Sequence, residues 1–134
     1  MLIVDDNEGD LELARLAFDS VGVGADVQTV NGGEAALRYL NDQAATPPAV
    51  VLLDLNMPGT GGLDVLRALR ANKNLCRLPV VMYTTSNAER DVADSYRLGA
   101  NAYLVKPASF DACVDLLAVV ARFWTTLNMP SQHA

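Results

Sequence analysis

The chain has 134 residues, enough for one domain with its own core. Hydrophobic residues make up 51% and charged residues 19%, the balance of a soluble globular protein and not of a disordered one. A formal net charge of −6 argues against a nucleic-acid-binding surface, and no apolar run approaches the ~20 residues of a membrane helix.

Short apolar runs alternate with longer segments of helical period. Met1 to Val4 is the first run. Leu11, Ala14, Phe18 and Val21 then recur at helical spacing, behind Asn7 as a candidate cap. Ala25 to Val30 reads as a strand and Gly33 to Ala44 as a helix closed by Pro47-Pro48. Ala49 to Leu53 lacks polar alternation, as expected of a strand buried on both faces. Gly62 to Asn72 is a helix, and Leu78 to Thr84 a strand with Pro79 near its start. Ala88 to Leu98 is a helix with Gly99 at the left-handed C-cap position. Ala102 to Val105 is a strand, and Ser109 caps a last helix running to about Thr126. This strand–helix alternation predicts a doubly wound α/β fold with a five-stranded parallel sheet and helices on both faces.

The rest of the inventory is plain. No signal peptide is visible. Cys76 and Cys113 form no CxxC and read as reduced thiols of a cytoplasmic protein. His133, the sole histidine, is expected to be neither ligand nor base. The chain reads as a single domain over residues 1–134, with a tail over 127–134.

In a parallel sheet the functional groups gather at the carboxyl ends of the strands. Asp5 and Asp6 follow the first strand, Asp54 ends the third, Thr84 and Thr85 end the fourth, and Lys106 follows the fifth, before Pro107. Clustered carboxylates repel one another unless a proton or a cation sits among them. An oxygen-only donor set favours Mg²⁺, with Mn²⁺ as the alternative, over Zn²⁺. Lys106 and a threonine hydroxyl match the remaining oxygens of a phosphoryl group. A carboxylate nucleophile with a cation, a lysine and a hydroxyl makes a phosphoryl-transfer site working through an aspartyl phosphate.

Four stretches, VDDNEGD (Val4 to Asp10), LLDLNMPGTGG (Leu52 to Gly62), MYTTS (Met82 to Ser86) and LGANAYLVKP (Leu98 to Pro107), resemble in order and spacing the receiver domains of response regulators, the CheY-like superfamily. The resemblance implies a flavodoxin-like sheet of strand order 2-1-3-4-5. It implies that Asp54 accepts a phosphoryl group from a sensor histidine kinase. Asp6, Asp54 and the backbone carbonyl of Asn56 would hold Mg²⁺, with Asp5 helping through water, and Lys106 would pair with the phosphate. Thr84, not Thr85, falls at the matching distance before Gly99 and Lys106 and takes the role of switch hydroxyl. Tyr103 takes that of the aromatic which moves with it. The bond before Pro107 is expected to be cis. Thr85 and Gly61 depart from the family pattern, which more often has alanine and an acidic residue there. A narrower resemblance, in DNEGD and ARFWTTLNMP (Ala121 to Pro130), is to single-domain regulators that partner bacterial and cyanobacterial phytochromes. The expected output is by protein contacts, since no effector domain is recognisable after the receiver.

The last helix carries two apolar stripes. Phe110, Val114, Leu117, Ala121 and Trp124 are expected to face the sheet. Cys113, Leu116, Val120, Phe123 and Leu127 form a second stripe, expected to be a homodimer interface because a surface helix ordinarily shows one. Competing readings are an aspartyl-phosphate phosphatase or mutase, an FMN binder and a pseudo-receiver that takes no phosphate. Asn56 stands where the haloacid-dehalogenase class has its second aspartate, the acidic first loop is wrong for FMN phosphate, and the complete acid set argues against a pseudo-receiver.

Overall fold

A computed structural model describes residues 1–42 and 46–130. His133 and the expected end of the second helix at Ala44 lie outside the described residues. Five strands form one parallel sheet in the order β2-β1-β3-β4-β5: β1 Leu2–Asp5, β2 Gln28–Asn31, β3 Val51–Leu53, β4 Val80–Thr84 and β5 Ala102–Val105. Four helices connect them and a fifth follows β5: α1 Glu8–Ser20, α2 Gly33–Asp42, α3 Gly62–Ala71, α4 Glu89–Arg97 and, after β5, α5 Phe110–Arg122.

The central strands are buried throughout, as uninterrupted aliphatic runs require. Their side chains alternate between two cores. Leu2, Val4, Val51, Leu53, Val80 and Met82 pack with α2 and α3; Ile3, Leu52, Val81 and Tyr83 pack with α1 and α5 through Leu11, Phe18, Leu117 and Ala121.

Helix boundaries follow the local chemistry. The Asn7 side chain accepts from the Asp10 N–H, and that of Ser109 accepts from Ala112. Gly99 has φ of 104°, the left-handed conformation expected of it. The second strand starts later than expected: the chain turns in a 3-10 segment, Gly24–Asp26, before β2. A Cβ on Gly24 would overlap the Asp19 side chain at the end of α1, so this turn is pressed against the helix.

At the amino end of the sheet Arg70 of α3 ties three segments together. Its guanidinium donates to the carbonyls of Gly99, Cys76 and Leu78 and to Asn101 Oδ1, which also accepts from the Val80 N–H. The opposite end is thereby left to chemistry.

Two expectations for α5 need correction. Phe110 is 43% exposed, because as the first helical residue it sits outside the contact with the sheet. Val120, assigned to a free second stripe, is buried in the core, and Leu116 is half-buried against it. α1 lies alongside α5 and covers that line. What stays exposed is the far end: Phe123 and Leu127, in a π-helical turn Phe123–Leu127, with Val119 and Met129.

Candidate functional site

Parallel strands β1, β3 and β4 bring their ends to one edge, and there the chain changes from apolar to acidic. Asp5 closes β1, and Asp54 follows β3 directly, with its N–H donating to the Val4 carbonyl at 3.0 Å. Carboxylate oxygens of Asp5, Asp6 and Asp54 lie within 4.8 Å of one another. Asp5 and Asp54 are buried, while Asp6 is partly open to solvent. Gly62, first residue of α3, lets the helix abut the floor: a Cβ there would lie 2.2 Å from the Asp54 carbonyl.

Lys106, just after β5, enters this cluster. Its N–H donates to the Thr84 carbonyl at 2.7 Å, which fixes the backbone. Its Nζ lies 2.5 Å from Asp5 Oδ2, 3.0 Å from Asp10 Oδ2 and 3.7 Å from Asp54 Oδ2. The other Asp5 oxygen accepts from the Asn7 N–H. The ring of Tyr83 lies 5.7 Å from the ammonium.

The electrostatics follow from burial. Desolvation, reinforced by Asp5, pushes the Asp54 carboxyl up to about 6, against the pull of Lys106 and the Thr84 hydroxyl. Burial alone would lower the Lys106 ammonium, but hydrogen bonds to Asp5 and Asp10 and the charge of Asp54 outweigh it and raise the group. The trio therefore carries more negative charge than its one lysine offsets. Oxygen-only donors, one of them open to water, fit a hard divalent cation. Asn56, two residues beyond Asp54, is exposed in the loop after β3.

Thr84 is fully buried at the end of β4, whereas Thr85 is exposed. Ser86 joins Thr84 to Tyr103: its N–H donates to Thr84 Oγ1 at 3.4 Å, and its carbonyl accepts from the Tyr103 hydroxyl at 2.9 Å. Tyr103 itself is half-buried against the α2–α3 core. Thus Asp5, Asp6, Asp54, Thr84 and Lys106 come together as expected, and Tyr103 is wired to them.

The expected cis bond is corrected: no cis peptide occurs among the described residues, so Lys106–Pro107 is trans. The two isomers of such a bond differ by only about 0.5–1 kcal/mol, and trans is the lower. Here the trans turn also delivers the Pro107 carbonyl to Cys113 Sγ. Asp10 was not singled out in the sequence. Its place in the first turn of α1, four residues after Asp6, is the one signal that could have flagged it.

These features define a class. Residues 1–118 match the response regulator receiver domain family, and the chain belongs to it. It is a phosphoacceptor module of two-component signalling. Among relatives, it is 32% identical to response regulator Rcp1 of Synechocystis sp., over 98% of this chain and 92% of that protein. The Mn²⁺-bound structure of Rcp1 superposes with a TM-score of 0.82 at 31% identity, covering 97% of this chain and 96% of that one. The phosphorylated cyanobacterial phytochrome response regulator RcpA gives a TM-score of 0.89 at 32% identity, covering 98% and 96%. The bacteriophytochrome response regulator RtBRR is 43% identical, with a TM-score of 0.72, covering 98% and 82%. Receiver domains bind Mg²⁺ or Mn²⁺ at an acidic pocket and act with sensor histidine kinases. No helix among the described residues is long and apolar enough to cross a membrane.

Proposed function

We propose that Asp54 is the phosphoacceptor of this receiver and that Asp5, Asp6, Asp54 and the Asn56 carbonyl hold Mg²⁺, with Mn²⁺ able to replace it. The carrying observation is the convergence of three carboxylates within 4.8 Å, with Lys106 beside them. A carboxylate oxygen of Asp54 attacks phosphorus. The new O–P bond forms as the P–N bond of a phosphohistidine donor breaks, and the imidazole nitrogen leaves with the electron pair. A bound cation would supply charge neutralisation between the carboxylates and the phosphoryl oxygens. Lys106 takes a phosphoryl oxygen through its ammonium, and the Thr84 hydroxyl turns to another. Ser86 then passes the movement of Thr84 to Tyr103.

The module is a switch and not a turnover enzyme, although it assists its own phosphorylation from small donors and its own dephosphorylation. Its donor is a sensor histidine kinase of the phytochrome type, a reading supported by likeness to RcpA and RtBRR over nearly the whole chain. It works in the cytoplasm, away from membrane and nucleic acid, through protein contacts. Two copies associate through the exposed end of α5, where Phe123 and Leu127 leave apolar surface in water. The function is tested with acetyl phosphate and Mg²⁺ followed by intact mass. One phosphoryl group is expected on the parent and none on Asp54→Asn; equal labelling of both would refute the acceptor.

A further inference from the structure

Three carboxylates face the Lys106 ammonium, and only two of them, Asp5 and Asp54, belong to the converging trio. The third is Asp10, on the first turn of α1, whose Oδ2 lies 3.0 Å from Nζ. An ammonium has three N–H donors. Here one reaches Asp5 and one reaches Asp10, while Asp54 at 3.7 Å is beyond hydrogen-bond distance. The Lys106 side chain is nearly covered, so water competes little for it. The Asp10 side chain is 38% exposed and can turn to solvent when its partner leaves. A cavity of about 190 Å³ between α1 and α5, lined by Asp10, Leu13, Thr85 and Lys106 among others, leaves room for that turn.

We propose that Asp10 is a positioning residue for Lys106. Its carboxylate holds the ammonium short of Asp54 in the unphosphorylated protein and yields it when a phosphoryl group arrives. This rests on the reading of Asp54 as acceptor and Lys106 as phosphate partner. Asp10 lies outside the metal-binding trio and its carboxylate pairs with Lys106, so its effect runs through the lysine. Neutralising Asp10 loosens its hold on the ammonium, which can then move toward the incoming phosphoryl group, and removes a charge that repels an anionic donor. Both push the reaction forward, and only the first requires Lys106.

The test measures the rate of labelling of the full chain by subsaturating acetyl phosphate with Mg²⁺, followed over hours by intact mass. In that reaction the Asp54 oxygen bonds to phosphorus as the P–O bond to acetate breaks. Asp10→Asn should label about three- to tenfold faster than the parent. Asp10→Glu, which keeps the charge, should stay within about twofold of the parent. In a Lys106→Met background the acceleration by Asp10→Asn should vanish. Equal rates for parent and Asp10→Asn would overturn the proposal and leave the acceptor reading intact. Acceleration that survives without Lys106 would also overturn it, by showing a general charge effect. A parent that takes no phosphoryl group would remove the acceptor reading and this proposal with it.

Discussion

Lys106 Nζ sits 2.5 Å from Asp5 Oδ2 but 3.7 Å from Asp54 Oδ2, so Asp54, the proposed acceptor, is the less well compensated of the two aspartates. Its carboxyl is accordingly raised from 3.8 to about 6, chiefly by burial. Between those values the folded protein holds a proton that the unfolded chain has released. Folded-state stability of the metal-free protein therefore falls as pH rises from about 4 to about 6. Asp54→Asn should remove that slope and stabilise the metal-free protein at pH 7 by about 1–3 kcal/mol. Urea unfolding at several pH values in EDTA checks this, and added Mg²⁺ should restore most of the loss in the parent alone.

Thr84→Ala should still accept a phosphoryl group, because the acceptor and Lys106 are untouched. It should, however, cut the link that Ser86 makes between Thr84 and Tyr103. The phosphorylation-induced NMR shift at Tyr103 should shrink by at least about half. An undiminished shift would mean that Tyr103 is driven by another route.

Arg70 tests the independence of the two ends of the sheet. Its guanidinium bonds three carbonyls and one side-chain oxygen. Arg70→Leu takes the donor from the three carbonyls, while Asn101 Oδ1 keeps the Val80 N–H, and should cost about 2–4 kcal/mol of stability. Labelling by acetyl phosphate at a temperature where the variant is folded should match the parent within about twofold.

On α5 the exposed end and the buried line make opposite predictions. Phe123→Asp should stay folded and be monomeric by light scattering at a concentration where the parent is dimeric. Val120→Asp should instead unfold the protein, because an unpaired charge would enter the core. A parent that is monomeric at high micromolar concentration, with and without phosphoryl donor, would remove the homodimer.

Much of this was legible in the sequence for a topological reason. In a parallel sheet every strand end lies on the same edge, so Asp5, Asp54, Thr84 and Lys106 had to meet once the strands were found. β5 coincides with its expected range, because Gly99 and Lys106-Pro107 bound it sharply; β2 does not, because nothing in Ala25 to Val30 signals the 3-10 turn. Asp10 escaped notice since its partner is 96 residues away and the contact depends on how α1 packs beside α5. The burial of Val120 from the second stripe of α5 was equally hidden, being decided by the packing of α1 and not by α5's own pattern. The Pro107 isomer turns on an energy gap too small for sequence patterns to carry.

In the proposed reaction the carboxylate at the end of the buried third strand becomes an acyl phosphate. Borohydride reduces an acyl phosphate to the alcohol and so converts a phosphorylated aspartate to homoserine, leaving free carboxylates alone. The parent should therefore be phosphorylated with acetyl phosphate and Mg²⁺, reduced with borohydride, digested and sequenced by mass spectrometry. Homoserine is expected at residue 54 and at no other aspartate, with none formed when EDTA replaces Mg²⁺. Homoserine at Asp5, Asp6 or Asp10, or a stable label with no homoserine at all, would contradict it.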